Sequence, residues 1–153
     1  MIGMDAMNMK KDQDKNLMQA AMEARRSAYA PYSEYLVGAA LLTVSGRIYQ
    51  GCNIENASYG ATNCAERTAF FKAVSEGEKD FQSIAIVGGS REVQGEFPDM
   101  AYPCGICRQV MREFCKPDFR ILVGKNTEEY EEYTLEELLP RSFGPARTEK
   151  GIQ

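Results

Sequence analysis

A chain of 153 residues fits one domain of ordinary size with room for a real core. Its net charge of −4, from 18 basic and 22 acidic residues with no basic stripe, argues against nucleic acid as a partner. It has no histidine, which excludes Ser-His-Asp and Cys-His hydrolysis, HExxH metalloproteases and His-ligated zinc.

Residues 1–13 are rich in Met and Lys and are expected to be a disordered N-terminus. They lack the apolar run of a signal peptide, and no stretch approaches the roughly 20 apolar residues that span a bilayer. The expected compartment is the cytoplasm, with no membrane partner. The five cysteines, an odd number, suit metal binding or burial better than a disulfide framework. Residues 14–145 are expected to form a single catalytic domain and 146–153 a tail.

Leu17, Ala21, Ala24 and Ala28 share one face and predict a helix over 14–30, with Pro31 marking its exit. Leu36 to Thr43 reads as a buried strand. Ser45-Gly46 turns it into a returning strand, Arg47 to Gly51. Asn53 to Ala61 reads as a loop. Ala65, Ala69 and Ala73, at steps of four, predict a helix from Cys64 to Val74 that packs closely on a sheet. Phe81 to Val87 predicts a strand bounded by Gly88-Gly89, followed by a loop rich in Gly, Pro and charge. Pro103 suits the first turn of a helix in which Cys107, Val110, Met111 and Phe114 share a face. Phe119 to Val123 predicts a strand, and Tyr130 to Thr134 one that pairs back. Thr134 and Glu137 match a capping box that opens a short helix before Pro140. This order predicts an α/β fold: a three-layer α-β-α sandwich around a mixed five-stranded sheet.

The chemistry gathers at two helix starts. Cys104 and Cys107 stand three apart, so both sulfurs can reach one ion. Alone, the pair also fits a redox motif, half a zinc finger or two buried thiols. Cys64 supplies a third thiolate, and Glu66 a carboxylate two residues on. Three protein ligands leave one tetrahedral position for water, the mark of catalytic rather than structural zinc. The pattern of ligand, x, Glu and a later Pro-Cys-x-x-Cys is that of zinc deaminases, in which the Glu moves protons and is not a ligand. Three thiolates on Zn²⁺ sum to −1. Two helix N-termini and Arg67 oppose that excess charge, although Arg67 reads equally well as a surface arginine. Cys52 and Cys115 fall outside the pattern and read as small buried hydrophobes. The acidic run Glu128, Glu129, Glu131 and Glu132 reads as a solvated hairpin edge.

Five motifs in order carry a resemblance across most of the chain: Ala30-Pro31-Tyr32-Ser33 with Val37-Gly38-Ala39-Ala40; Gly51-Cys52-Asn53-Ile54-Glu55-Asn56-Ala57; Cys64-Ala65-Glu66-Arg67-Thr68; Pro103-Cys104-Gly105-Ile106-Cys107-Arg108-Gln109; and Glu137-Leu138-Leu139-Pro140. The sequence resembles the small homotetrameric cytidine deaminases of nucleoside salvage. The resemblance implies one Zn²⁺ per chain on Cys64, Cys104 and Cys107, and Glu66 as the proton carrier for zinc hydroxide attacking C4 of cytidine or deoxycytidine. It implies Tyr35, where the family usually has Phe, as the pyrimidine-pocket aromatic. Asn53 and Glu55 match the ribose-hydroxyl ligands, and the Ala65 N–H the donor to the base carbonyl. Arg67 matches the donor to the zinc thiolates. Phe143 matches an aromatic delivered from a neighbouring subunit, so the sites would be shared within a homotetramer. Ile106 stands where Ala is common and is expected to tighten the wall beside the metal. The loop from Gly88 to Tyr102 is longer than usual. Two other readings remain at this stage: a related deaminase of antibiotic nucleosides or of cytosine in nucleic acid, and a zinc-stabilised binding module, which needs a fourth protein ligand.

Overall fold

The computed structural model describes residues 2–145; the expected tail at 146–153 lies outside the described residues. The elements are α1 (Ile2–Arg25), β1 (Tyr35–Thr43), β2 (Ile48–Cys52), α2 (Ala65–Ser75), β3 (Phe81–Ser90), α3 (Gly105–Phe114), β4 (Arg120–Gly124), β5 (Tyr130–Thr134) and α4 (Leu135–Leu138), with a 3₁₀ turn at Tyr59–Ala61. The sheet runs β2-β1-β3-β4-β5. β1 pairs antiparallel with both β2 and β3, β3 and β4 run parallel across the α3 crossover, and β5 returns antiparallel.

Alternation along the strands builds the three layers. Ala40, Leu42, Ala85, Val87 and Leu122 meet Leu17, Met18 and Ala21 of α1 on one face. Ala39, Leu41, Ile84, Ile86, Ile121 and Val123 meet α2 and α3 on the other, around Ala69, Phe70, Ala73 and Met111. Thr134 and Glu137 form the capping box that starts α4.

Three expectations need correction. Residues 2–13, expected to be disordered, form the first turns of α1. Beyond Gly3 this stretch has no Pro and is mostly Met, Lys, Ala and Gln, all good helix formers, with Asp5 in the first turn, so propensity carries it without an apolar stripe. At its other end α1 stops at Arg25, five residues short of the expected exit. The Tyr29 N–H donates to Asn53 O, drawing the chain into a bridge with Ile54. The third correction concerns Gly88 and Gly89, which do not end β3 but lie inside it. A Cβ on Gly88 would come within 2.8 Å of the Ala101 Cβ, and one on Gly89 within 2.7 Å of the Phe97 ring. The glycines make room for the following loop, whose Phe97 is buried beneath the Arg25 guanidinium, 4.7 Å from its ring centroid. The acidic run does lie on a solvated hairpin edge, β5 being the outer strand, and its carboxylates find partners there. Glu128 meets Lys15, Glu132 joins Asp14 on Arg120, and Glu131 accepts from the hydroxyls of Tyr102 and Tyr133.

Two glycines set the thickness of the sandwich. A Cβ on Gly38 would run into the backbone of Ala21 and Arg25 in α1, and one on Gly51 into that of Ala65 and Ala69 in α2. Overpacking of this kind costs about 1–3 kcal/mol. Gly38→Ala is therefore expected to lower Tm by roughly 2–10 °C, whereas Gly60→Ala, with nothing within 4 Å of its Cβ, serves as a neutral control. Equal melting temperatures for the two variants would remove backbone contact as the reason for Gly38.

Candidate active site

α2 and α3 lie on the same face of the sheet, and their N-termini meet. Cys64 and Cys104 are the two N-cap residues, both with extended backbone. The Cys104 Sγ accepts from the Cys107 N–H at 3.5 Å, which suits a thiolate at the positive end of a helix. Cys64 Sγ and Cys104 Sγ are 3.8 Å apart, and all three sulfurs lie within 4.8 Å of one another. A tetrahedron with zinc–sulfur bonds of ~2.3 Å has an edge of about 3.8 Å. Donor type and spacing therefore fit zinc, and hard oxygen-seeking cations do not suit three sulfurs. Among the described residues no fourth Cys, Asp or Glu joins the group. The set is thus three-coordinate, which disfavours a closed structural site.

Arg67, one turn into α2, donates from Nη2 to Cys64 Sγ at 3.3 Å. The Cys64 thiol is brought down to about 5 by a hydrogen bond from Cys107, helped by Arg67 and Cys104 and opposed by burial. Cys107 moves the other way, because its proton bridges to Cys64 and it is buried. Burial opposes the charge on Arg67, but the two thiols outweigh it and raise its pKa.

Glu66 is only 4% exposed. Burial pushes its carboxyl up to about 7, against its own backbone N–H. The negative charge of Cys64 adds to the rise, while Cys107 and Arg67 oppose it. A carboxyl poised near neutrality can both take and return a proton.

A cavity of about 480 Å³ opens beside the cysteines, lined by Tyr35, Val37, Asn53, Thr62, Asn63, Cys64, Ala65, Glu66, Met100, Ala101, Tyr102 and Cys104. It brings together six residues singled out from the sequence: Tyr35, Asn53, Cys64, Ala65, Glu66 and Cys104. The Ala65 N–H, in the first turn of α2, has no intrahelical acceptor. Burial, then Asp99, raises the Tyr35 phenol, with Arg25 opposing. Asn53 stitches the sheet edge, its Oδ1 accepting from Val37 N and its Nδ2 donating to Tyr35 O, both at 2.9 Å. One lone pair and one N–H remain for a ligand.

Three residues singled out from the sequence lie outside both the metal group with its Arg67 and the cavity wall. Glu55 is absent from the cavity wall. Its carboxylate accepts from the Tyr32 and Ser33 N–H groups and the Ser33 hydroxyl, holding the turn before β1, and these bonds lower its pKa. Phe143 is 89% exposed and lines no part of this chain's cavity. Ile106 does not tighten the wall: it is 61% exposed and lines no part of this chain's cavity. Sequence reasoning missed Val37, Thr62, Asn63, Met100, Ala101 and Tyr102 as cavity residues. For Thr62 and Asn63 the available signal was their position just before Cys64. Tyr102 likewise precedes the Pro103-Cys104 start, and its hydroxyl donates to Glu131 at 2.6 Å.

A family model described as the cytidine and deoxycytidylate deaminase zinc-binding region matches residues 11–123. The chain belongs to this deaminase family. A cytidine deaminase of Halalkalibacterium halodurans is 49% identical over 127 residues, covering 83% of this chain and 91% of the relative. One from Sporosarcina psychrophila is 46% identical over 129 residues, covering 84% and 90%. The crystal structure of cytidine deaminase from Burkholderia pseudomallei superposes with a TM-score of 0.73 at 45% identity, covering 84% of this chain and 97% of that one. The mixed sheet flanked by helices is therefore the deaminase fold, and the three-cysteine group corresponds to the zinc-binding region that defines the family. Among the described residues no helix is long and apolar enough to cross a membrane.

Proposed function

We propose that this deaminase hydrolyses cytidine and 2′-deoxycytidine to uridine and 2′-deoxyuridine with release of ammonia, as part of cytoplasmic pyrimidine salvage. The observation that carries the reading is a buried carboxyl, Glu66, in the same cavity as a three-thiolate group with room for a fourth ligand. Zinc held by Cys64, Cys104 and Cys107 supplies Lewis acidity that brings the pKa of water from 15.7 toward ~7. Glu66 takes one proton from the water as it attacks C4 and delivers it to N3, then takes the proton of the new C4 hydroxyl and passes it to the amine, so that the C4–N bond breaks, ammonia leaves and the C4 carbonyl forms. The Ala65 N–H holds the base carbonyl, and the Tyr35 ring forms the wall beside the pyrimidine. Asn53 offers its remaining donor and acceptor to the sugar hydroxyls. Glu55, outside the cavity wall, fixes the Tyr32–Ser33 turn that leads into Tyr35 and offers its spare lone pairs to the sugar from there. Arg67 offsets the excess negative charge of three thiolates. The exposed Phe143 ring supports a homotetramer in which each site borrows that aromatic from a neighbour.

The test is direct. Purified protein is incubated with cytidine, and the fall in cytosine absorbance is followed with and without a strong zinc chelator. Cytidine is expected to be consumed, and the free base cytosine only poorly, since sugar contacts help position the reacting centre. Equal efficiency on base and nucleoside would remove Asn53 and Glu55 from substrate recognition, and turnover of single-stranded DNA would redirect the reading to a nucleic-acid editor.

A further inference from the structure

The outer face of α3 carries contacts separate from the metal ligands at its start. Gln109 Nε2 donates to Phe143 O at 2.9 Å. Arg112 Nε donates to Ser142 Oγ at 2.8 Å, and its Nη1 to Pro145 O at 3.3 Å. Gly144 lies directly on Arg112: a Cβ there would come within 2.7 Å of the guanidinium carbon and Nη1. Residues 142–145 are therefore held by hydrogen bonds and by close backbone packing. Yet the one large side chain among them, Phe143, is left almost wholly in water. A tail fixed for its own chain's stability would bury that ring, because burial is where an apolar side chain contributes.

We propose that Gln109, Arg112 and Gly144 form a clamp that presents the Phe143 ring to another copy of this chain, making Gln109 and Arg112 positioning residues for the neighbour's substrate. The proposal rests on the reading of Phe143 as an aromatic shared between subunits. An unclamped tail would have to be ordered each time a nucleoside bound, at a conformational-entropy cost for each residue fixed. The clamp meets that cost during folding, so binding proceeds onto a preorganised ring. The same helix thus serves two sites, with Cys107 on its buried face for its own chain and Gln109 and Arg112 on the outer face for the next.

The experiment is steady-state kinetics on cytidine with the full-length, zinc-loaded protein. It compares Gln109→Ala, Arg112→Met, Gly144→Ala, Phe143→Ala and the double variant Arg112→Met/Phe143→Ala. Arg112→Met and Gly144→Ala are expected to raise KM roughly threefold to tenfold, the size of one net hydrogen bond. Zinc content and a light-scattering mass of four chains should stay unchanged. Adding Arg112→Met to Phe143→Ala should raise KM no further, because the clamp acts through the ring. A double variant as impaired as the product of the singles overturns the clamp, since Arg112 would then act elsewhere. An unchanged KM in Arg112→Met and Gly144→Ala, with a raised KM in Phe143→Ala, overturns the clamp but leaves the shared aromatic standing. An unchanged KM in Phe143→Ala overturns both. Gly144→Ala keeps the test intact if Arg112→Met folds poorly, because it dislodges the guanidinium without deleting it.

Discussion

Glu66→Gln is expected to lower kcat by about 10⁴-fold while zinc stays bound, the upper end of what one general acid–base group contributes. Glutamine keeps the shape of the side chain, so the buried position does not collapse. It cannot take a proton from the attacking water or return one to N3 and the amine. Because the proposed cycle gives every one of these transfers to the same carboxyl, no other group in the cavity substitutes for it: the remaining lining offers two amides, hydroxyls and thiols already committed to the metal group. Steady-state rates paired with elemental analysis check the claim. Activity within tenfold of the parent at full zinc content would exclude Glu66 from the chemistry.

The second large effect is expected from Cys107→Ala. This side chain is buried at the junction of α2 and α3, and its loss leaves only two ligands. Zinc content should fall from one per chain to near zero, with activity below detection. The metal also ties two helix starts 40 residues apart in the chain, Cys64 and Cys104. A ligand present at ~1,000 times its Kd stabilises the folded state by about 4 kcal/mol, so Tm should drop by roughly 8–16 °C for a domain of this size. Chelation of the parent protein should reproduce the same shift. A Cys107→Ala variant that retains one tightly bound zinc would contradict the ligand assignment.

Most elements were legible because their apolar spacing had no competing explanation. The steps of four in Ala65, Ala69 and Ala73 fit the helical period, and the short apolar run through Ala39, Ala40, Leu41 and Leu42, closed by the Ser45-Gly46 turn, fits a strand covered on both faces. Cys64 with Glu66, and Cys104 with Cys107, were legible because each pair sits within one helical turn. What stayed hidden depends on contacts between distant segments. α1 extends to Ile2 on intrinsic propensity, and from Gly3 to Gln13 its side chains are exposed and leave no apolar stripe to read. Phe97 looked like a loop residue because a single apolar side chain has no period, and only the space above Gly89 gives it a site. Tyr102 meets Glu131 across 29 positions, beyond any local pattern. Asn53 was marked for a ligand, but half of its hydrogen-bonding capacity goes to the β1 backbone, a use invisible without the register.

Gly38 and Gly51 sit on adjacent strands, Gly38 beside Cys52 and Ala39 beside Gly51, and face opposite helices. At that corner both helices rest on bare backbone, with no layer of side chains to shift. One wall of the cavity, Cys64 and Ala65 on α2, is therefore seated on a stiff anvil. The opposite wall, Met100 to Tyr102, belongs to the loop after β3, held to β5 through the Tyr102 hydroxyl. Mechanical compliance in this site is one-sided. A nucleoside with a bulkier base must gain its space from the loop, so changes of substrate range should accumulate at residues 100–102, while the metal wall tolerates almost none.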